Sequence, residues 1–166
     1  MRTSFKIGET EYTVNLPDDA AVLRMRGAAP VADPAGALSD AFENPIGCPG
    51  FDAIVRRKLA VNPDGQAVIV ISDNTRPVPY KGGQGILLPI IRRLLAAGLA
   101  PEKITVLCAN GTHTPLPEKA FRGMLDPEFF DLGIRIVNHD CRDEANLKFL
   151  GYTSTGTKIR INRLYA

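Results

Sequence analysis

The segment Ala67-Val68-Ile69-Val70-Ile71 constrains the fold more than any other stretch of the chain. It is wholly apolar and almost wholly β-branched, so it leaves no polar position for a solvent face and reads as a strand covered on both sides. Such strands sit in the centre of parallel sheets, and parallel pairing demands long crossover connections. The residues that follow supply them. A loop over residues 72–85 leads into a helical pattern that runs through Leu95, with Gly98 placed to close it in the left-handed conformation, and then into a strand over residues 104–108. A loop over residues 109–117, a helix over residues 118–125 and a strand over residues 134–137 repeat the step. The expected class is α/β: a mostly parallel sheet with helices on both faces, a Rossmann-like layering with right-handed crossovers.

Upstream, Phe5-Lys6-Ile7 and Tyr12-Thr13-Val14-Asn15-Leu16 alternate apolar and polar residues around Gly8-Glu9-Thr10, which predicts an N-terminal β-hairpin. Residues 28–50 are dense in Pro, Gly, Ala and Asp, with a short helix expected over residues 35–43; they form a long surface connection or are disordered. Residues 51–59 place apolar side chains at i, i+3, i+4 and i+8, an amphipathic helix, and Asn62-Pro63-Asp64-Gly65 forces a turn. The end of the chain, residues 158–166, alternates as a strand without a turn signal. It reads as a final sheet edge or as a cut through a longer polypeptide, and the second fits better because edge strands normally end short and blunt.

Bulk properties narrow the function classes. With 166 residues at 45% hydrophobic content, the chain can bury on the order of 70% of its unfolded surface, which suits a single domain over residues 1–166. The net charge is +2, and the basic run Arg56-Arg57-Lys58 lies on the polar side of a helix, so no nucleic-acid footprint is evident. Cys48, Cys108 and Cys141 are odd in number and show no CxxC spacing, which argues against a disulfide framework and a closed zinc site and favours a reducing, cytoplasmic setting. The apolar stretch over residues 86–99 is interrupted by Pro89, Arg92 and Arg93, so no membrane association is expected.

In an open parallel sheet, ligands gather at the carboxyl ends of the strands. Three polar segments fall there: Ser72-Asp73-Asn74-Thr75-Arg76-Pro77, Ala109-Asn110-Gly111-Thr112-His113-Thr114-Pro115 and Asn138-His139-Asp140. Each has an ordinary explanation. Asp73 and Asn74 could form an Asx-turn, Arg76 a surface ion pair, and His113 a loop histidine bonded to a carbonyl. His139, flanked by Asn138 and Asp140, is read as structural. Convergence raises the interest of the set, because an Arg that clamps a carboxylate beside a His able to act as general base is the minimum equipment for a small hydroxy acid. Lys81-Gly82-Gly83-Gln84-Gly85 is a weak phosphate-loop match that lacks the third Gly of a dinucleotide fingerprint and the Lys-Ser/Thr of a P-loop. No HExxH or GxSxG is present, and the two histidines cannot hold a metal without outside ligands, so no metal site is expected within the chain.

Taken together and in this order, Asp73-Asn74-Thr75-Arg76-Pro77, Asn110-Gly111-Thr112-His113 and Asn138-His139-Asp140 resemble the signature of the nickel-pincer lactate racemase family, in its N-terminal part. The similarity extends to the hairpin and to the stretch Gly151-Tyr152-Thr153-Ser154-Thr155-Gly156-Thr157. It implies an isomerase that racemises or epimerises a 2-hydroxy acid by proton-coupled hydride transfer to a nickel-pincer nucleotide. It further implies that Asp73 and Arg76 bind substrate, with Arg76 on the carboxylate, and that His113 is one of two histidines alternating as base and acid. Thr75, Gly111 and Thr112 are the positions that could touch the cofactor. In that family the cofactor-bearing lysine, the second catalytic histidine and the nickel-ligating histidine come from a later Gly-rich segment, so the resemblance implies a partner in the remaining C-terminal portion, no cofactor held by this fragment alone, and no activity without that portion; an oligomer is compatible. Thr114 stands where many members have arginine, which leaves the hydroxy acid open. The competing reading is a stand-alone module that binds a small anion or nucleotide through Arg76 and the Gly111 turn.

Overall fold

A computed structural model describes residues 1–166, which divide into two compact units, Met1–Val31 and Ala32–Ala166. The first unit is the expected hairpin. Strands β1 (Arg2–Ile7) and β2 (Thr10–Asn15) pair antiparallel from Arg2 opposite Asn15 to Ile7 opposite Thr10. The two-residue turn between them puts Gly8 at φ +59° while Glu9 keeps a negative φ, the arrangement that matches strand twist with glycine at the first central position. Phe5 and Tyr12, directly opposed, stack with ring centroids 5.8 Å apart.

The second unit opens with helix α1 (Pro34–Glu43), whose start follows from Asp33 and Pro34: the Asp33 carboxylate accepts the Gly36 N–H at 2.9 Å, and proline fills a first-turn position that needs no donor. Helix α2 (Phe51–Val61) and strand β3 (Ala67–Ile71) follow as the patterning requires. Helix α3 (Leu87–Ala96) carries Pro89 in its first turn and ends in a Schellman closure: Gly98, at φ +101°, donates to the Leu95 carbonyl, and Leu99 donates to that of Leu94. Strand β4 (Ile104–Cys108), helices α4 (Glu118–Met124) and α5 (Pro127–Asp131), and strand β5 (Arg135–Asn138) complete the crossovers. The result is a three-stranded parallel sheet, order β3-β4-β5, flanked by helices.

One expectation is corrected here. The apolar run of β3 is an edge strand, and the central, fully buried strand is β4, although β4 contains Thr105. A continuous apolar run reports covered faces and says nothing about whether both edges are paired. Even the covering is partial, since Val70 is 46% exposed. The face formed by Ile69, Ile71, Val106, Cys108 and Ile136 packs into one cluster with Val55 of α2, Leu87, Ile91 and Leu94 of α3, Phe121 of α4 and Phe129 of α5. On the opposite face Leu107 and Thr105 are buried, and Thr105 accepts a hydrogen bond from Arg135 at 3.3 Å.

The C-terminal region departs further from expectation. Strand β6 (Leu147–Tyr152) was not apparent in the sequence; it pairs antiparallel with β7 (Lys158–Asn162) in a separate two-stranded sheet. β7 is therefore no edge of the parallel sheet, and it stops at Asn162 instead of running to residue 166. Asn162 is itself the stop: its side chain accepts the Leu164 N–H at 2.9 Å and its carbonyl accepts those of Tyr165 and Ala166, a local turn that competes with the ladder.

Arg93 ties α1, α2 and α3 together through its side chain. Arg93 of α3 donates to Asp52 of α2 at 3.1 Å and to Ser39 and Glu43 of α1 at 2.9 and 3.2 Å, with its guanidinium over the Phe42 ring. No helix is long and apolar enough to cross a membrane.

Candidate active site

The site is built at the carboxyl ends of β3, β4 and β5. Directly after β3, residues 72–80 fold back on themselves, and the hydroxyl of the buried Tyr80 accepts the Ser72 N–H at 2.7 Å. That bond closes the loop across its neck. Inside it Asp73 is only 4% exposed, an unusual position for a carboxylate, and both of its oxygens are engaged. Oδ1 accepts the Thr75 N–H at 3.1 Å and the Thr75 hydroxyl at 2.6 Å; Oδ2 lies 2.5 Å from His113 Nδ1.

These contacts hold Asp73 ionised. The hydrogen bond to His113, then those to Thr75, lower its carboxyl from 3.8 to about 2 against the opposing effect of burial. An ionised carboxylate can only accept, so His113 donates through Nδ1–H, and the neutral imidazole keeps its lone pair on Nε2. The imidazole is 53% exposed, so Nε2 is open to a ligand while Nδ1 is committed. The contact with Asp73 fixes the tautomer of the neutral ring.

His113 sits in the loop after β4. Gly111, at φ +60°, adopts the left-handed backbone that lets the chain reverse, and His113 N–H closes the turn on the Asn110 carbonyl at 3.0 Å. Thr112 and Thr114 are exposed beside it. Arg76 is exposed as well, and its guanidinium takes part in no ion pair, which leaves a free cation in the same loop as Asp73. Thus the Asp73 and His113 of the sequence reading are in contact, Arg76 and Thr75 stand on the adjoining loop, and Gly111 and Thr112 form the turn that presents the imidazole.

His139 follows β5. Its N–H donates to the Cys108 carbonyl at 2.8 Å, and its Nδ1 accepts from the Asn162 amide at 3.2 Å, joining the end of β5 to the end of β7. Asp140 accepts the Arg142 N–H at 2.8 Å in a turn of its own. Cys108, buried at the end of β4, is kept as a neutral thiol: burial first, and then the negative charge of Asp73, push it up to about 11.

No group of three His, Cys, Asp or Glu side chains converges on a common point. The two histidines each have Nδ1 taken by a protein partner, and neither is joined by further donors, so the residues of this chain do not compose a nickel site. Two further residues, Tyr80 and Asn138, shape the site without being among its candidates in the sequence. The first closes the Asp73 loop, and the second, the last residue of β5, grips the loop after β4 by accepting the Leu116 N–H at 2.9 Å and donating to the Leu116 carbonyl at 3.0 Å. Asn138 lay within a motif already singled out; Tyr80 gave no signal beyond being an aromatic between two turns.

Residues 7–166 match the family described as the lactate racemase N-terminal domain. A lactate racemase of Thermoanaerobacterium thermosaccharolyticum is 25% identical over 161 residues, covering 95% of this chain and 35% of that protein. One from Lactiplantibacillus plantarum is 28% identical over 129 residues, covering 78% of this chain and 28% of that protein. The solved structure of the lactate racemase apoprotein from T. thermosaccharolyticum superposes with a TM-score of 0.67 at 25% identity, over 99% of this chain and 36% of the other. The chain thus spans between 28% and 35% of the length of the curated relatives it matches.

Proposed function

The chain belongs to the lactate racemase N-terminal domain family, and from that premise we propose that it is the part of a lactate racemase-like enzyme that receives a 2-hydroxy acid and moves its hydroxyl proton. The observation that carries the reading is the contact between buried, ionised Asp73 and His113, which leaves Nε2 of a half-exposed imidazole as the one free base of the site.

In this reading Arg76, unpaired in the structure, takes the substrate carboxylate, where a guanidinium can offer two parallel donors. His113 Nε2 accepts the hydroxyl proton as the α-carbon is oxidised to the keto acid and returns it in the reverse step. The ionised Asp73 stabilises the imidazolium formed in between and keeps the ring from turning, the part a buried carboxylate plays behind a catalytic histidine elsewhere. Its own oxygens are filled by His113 and Thr75, so Asp73 serves the substrate through the histidine. A nickel-pincer nucleotide, when bound, would supply the hydride chemistry at the α-carbon. The lysine and histidines that hold it would come from the remaining length that relatives have and these residues do not include. Thr112, exposed on the turn, is the better placed of the two threonines to touch such a group, because the Thr75 hydroxyl is already given to Asp73. Alone, the fragment would bind without turning over, and its three free thiols suit a reducing, cytoplasmic setting.

The test is racemisation of a panel of 2-hydroxy acids by a cofactor-loaded protein in which this chain is continued by the remainder found in its relatives. Interconversion that Arg76→Ala and His113→Gln abolish supports the assignment; absence of any interconversion by the loaded wild-type protein overturns it. The unpaired Arg76 would serve equally in a stand-alone anion-binding module. Tight calorimetric binding of carboxylates or nucleotides to the 166-residue chain, with no racemisation in the longer protein, would favour that second reading.

A further inference from the structure

The loop over residues 109–117 carries His113 but makes few bonds of its own. At its start, the Ala109 N–H donates to the Ile71 carbonyl at 2.8 Å, and midway the imidazole meets Asp73. Asn110 does not help: its side chain is 1% exposed, yet neither amide atom has a partner. Past His113, Thr114 and Pro115 have no hydrogen bond to the rest of the fold. The next fixed point is Leu116, and what fixes it is a side chain.

Asn138 pairs with Cys108 in the β4-β5 ladder, and from there its carboxamide meets both backbone groups of Leu116, Oδ1 with the N–H and Nδ2 with the carbonyl. This two-point pairing imitates a neighbouring strand. It fixes distance and orientation together, and rotating the amide by half a turn would break both bonds. Leu116 itself packs on the core cluster, so the clamp joins a rigid sheet to a seated residue three positions beyond the imidazole.

We infer that Asn138 is a positioning residue for His113: with Asp73 it defines where Nε2 is presented, Asp73 by holding the ring and Asn138 by holding the loop that carries it. The inference rests on the assignment of His113 as the base and adds a residue that does not touch the substrate. Clamping of this kind matters because a displacement of about 1 Å at a reacting group can cost on the order of 10²-fold in rate.

The experiment compares Asn138→Leu, which removes both bonds at similar size, and Asn138→Asp, which keeps the acceptor but sets an oxygen against the Leu116 carbonyl, with Ile104→Val, a mild cavity at the opposite end of β4. Two readouts are taken: the ring-nitrogen resonances of His113 in isotope-labelled 166-residue chain, and kcat and KM for the 2-hydroxy acid in the longer, cofactor-loaded protein. Both Asn138 variants are expected to shift the His113 ring nitrogens and to lower kcat about tenfold or more with KM within about threefold. Ile104→Val is expected to lower Tm and leave both readouts unchanged. Should Asn138→Leu fail to fold, Asn138→Asp and Asn138→Ser give the same reading. Unchanged ring resonances in folded Asn138 variants overturn the inference, as does an equal shift in Ile104→Val. If the wild-type longer protein racemises nothing, the functional reading falls by itself, while the ring resonances still decide whether Asn138 places the imidazole.

Discussion

The two histidines follow neighbouring strands of one sheet and engage one protein partner each through Nδ1, yet chemically they are opposites. His113 donates a hydrogen bond from Nδ1–H to a buried carboxylate held near pKa 2, which leaves the lone pair of the half-exposed neutral ring on Nε2. His139 accepts a hydrogen bond from the Asn162 amide on the same atom, so the tautomer that makes this bond carries its hydrogen on Nε2 and donates there. Residue type and place in the topology are shared, and the partner at Nδ1 makes the difference. A buried anion leaves the neutral imidazole with its lone pair on Nε2; a carboxamide donor leaves it with hydrogen there and makes it a strut between β5 and β7.

The largest expected effect that could break this contrast is catalytic. In the longer, loaded protein His113→Gln should cost about 10²–10⁴-fold in kcat, the usual range for a general base, whereas His139→Gln should cost less than about tenfold. Equal losses would erase the distinction. Next, Asp73→Asn should give up much of the same factor without displacing the ring far, because an amide can present its N–H to Nδ1 and so favour the wrong tautomer. Ring-nitrogen resonances of His113 that come to resemble those of His139 would be the direct sign of it.

A smaller effect sharpens the structural half. Asn162→Leu removes the donor to His139 and the acceptor for Leu164, and should cost about 1–2 kcal/mol in denaturant unfolding while leaving the His113 resonances in place. The acid limb of stability supplies another measure. The carboxyl of Asp73 is depressed in the folded state, so its contribution is complete above the unfolded value of 3.8 and is lost as pH falls through about 2. The difference in Tm between wild type and Asp73→Asn should therefore narrow as pH falls over that interval. Last, Cys108, with its thiol raised to about 11, should resist iodoacetamide at neutral pH in folded protein under conditions that alkylate the exposed Cys48. Early labelling of Cys108 would mean that the end of β4 opens beside the site.

The contrast also explains what could be seen in the sequence. Elements whose signal is local were legible: the β-branched run of β3, the Gly98 closure of α3, the Gly8 turn of the hairpin. The three loops stood out because polar residues cluster where the topology puts strand ends. The pairing of Asp73 with His113 spans forty positions, and nothing in residue order says which of two histidines the aspartate will meet. For the same reason, the position of β3 at the sheet edge, the partnership of β6 with β7, and the reach of Asn138 to Leu116 were hidden: each depends on which segments become neighbours. Helix α5 was not expected either, although Asp126-Pro127-Glu128 is a usual helix opening; the Asp126 side chain accepts the Gly82 N–H at 2.9 Å instead of capping its own helix.

The placement of β3 at the margin of its sheet has a practical consequence. Its outer edge presents unpaired peptide groups along five apolar residues with no charge, proline or bulge to repel another strand, and Val70 is 46% open. Natural sheets usually guard such a margin. Such a margin is the part of the sheet most open to the addition of another strand, and light scattering of the concentrated 166-residue chain is the measurement that reads it. Val70→Lys, on the face opposite Ile69 and Ile71, would set a charge beside that margin and should lower any such scattering.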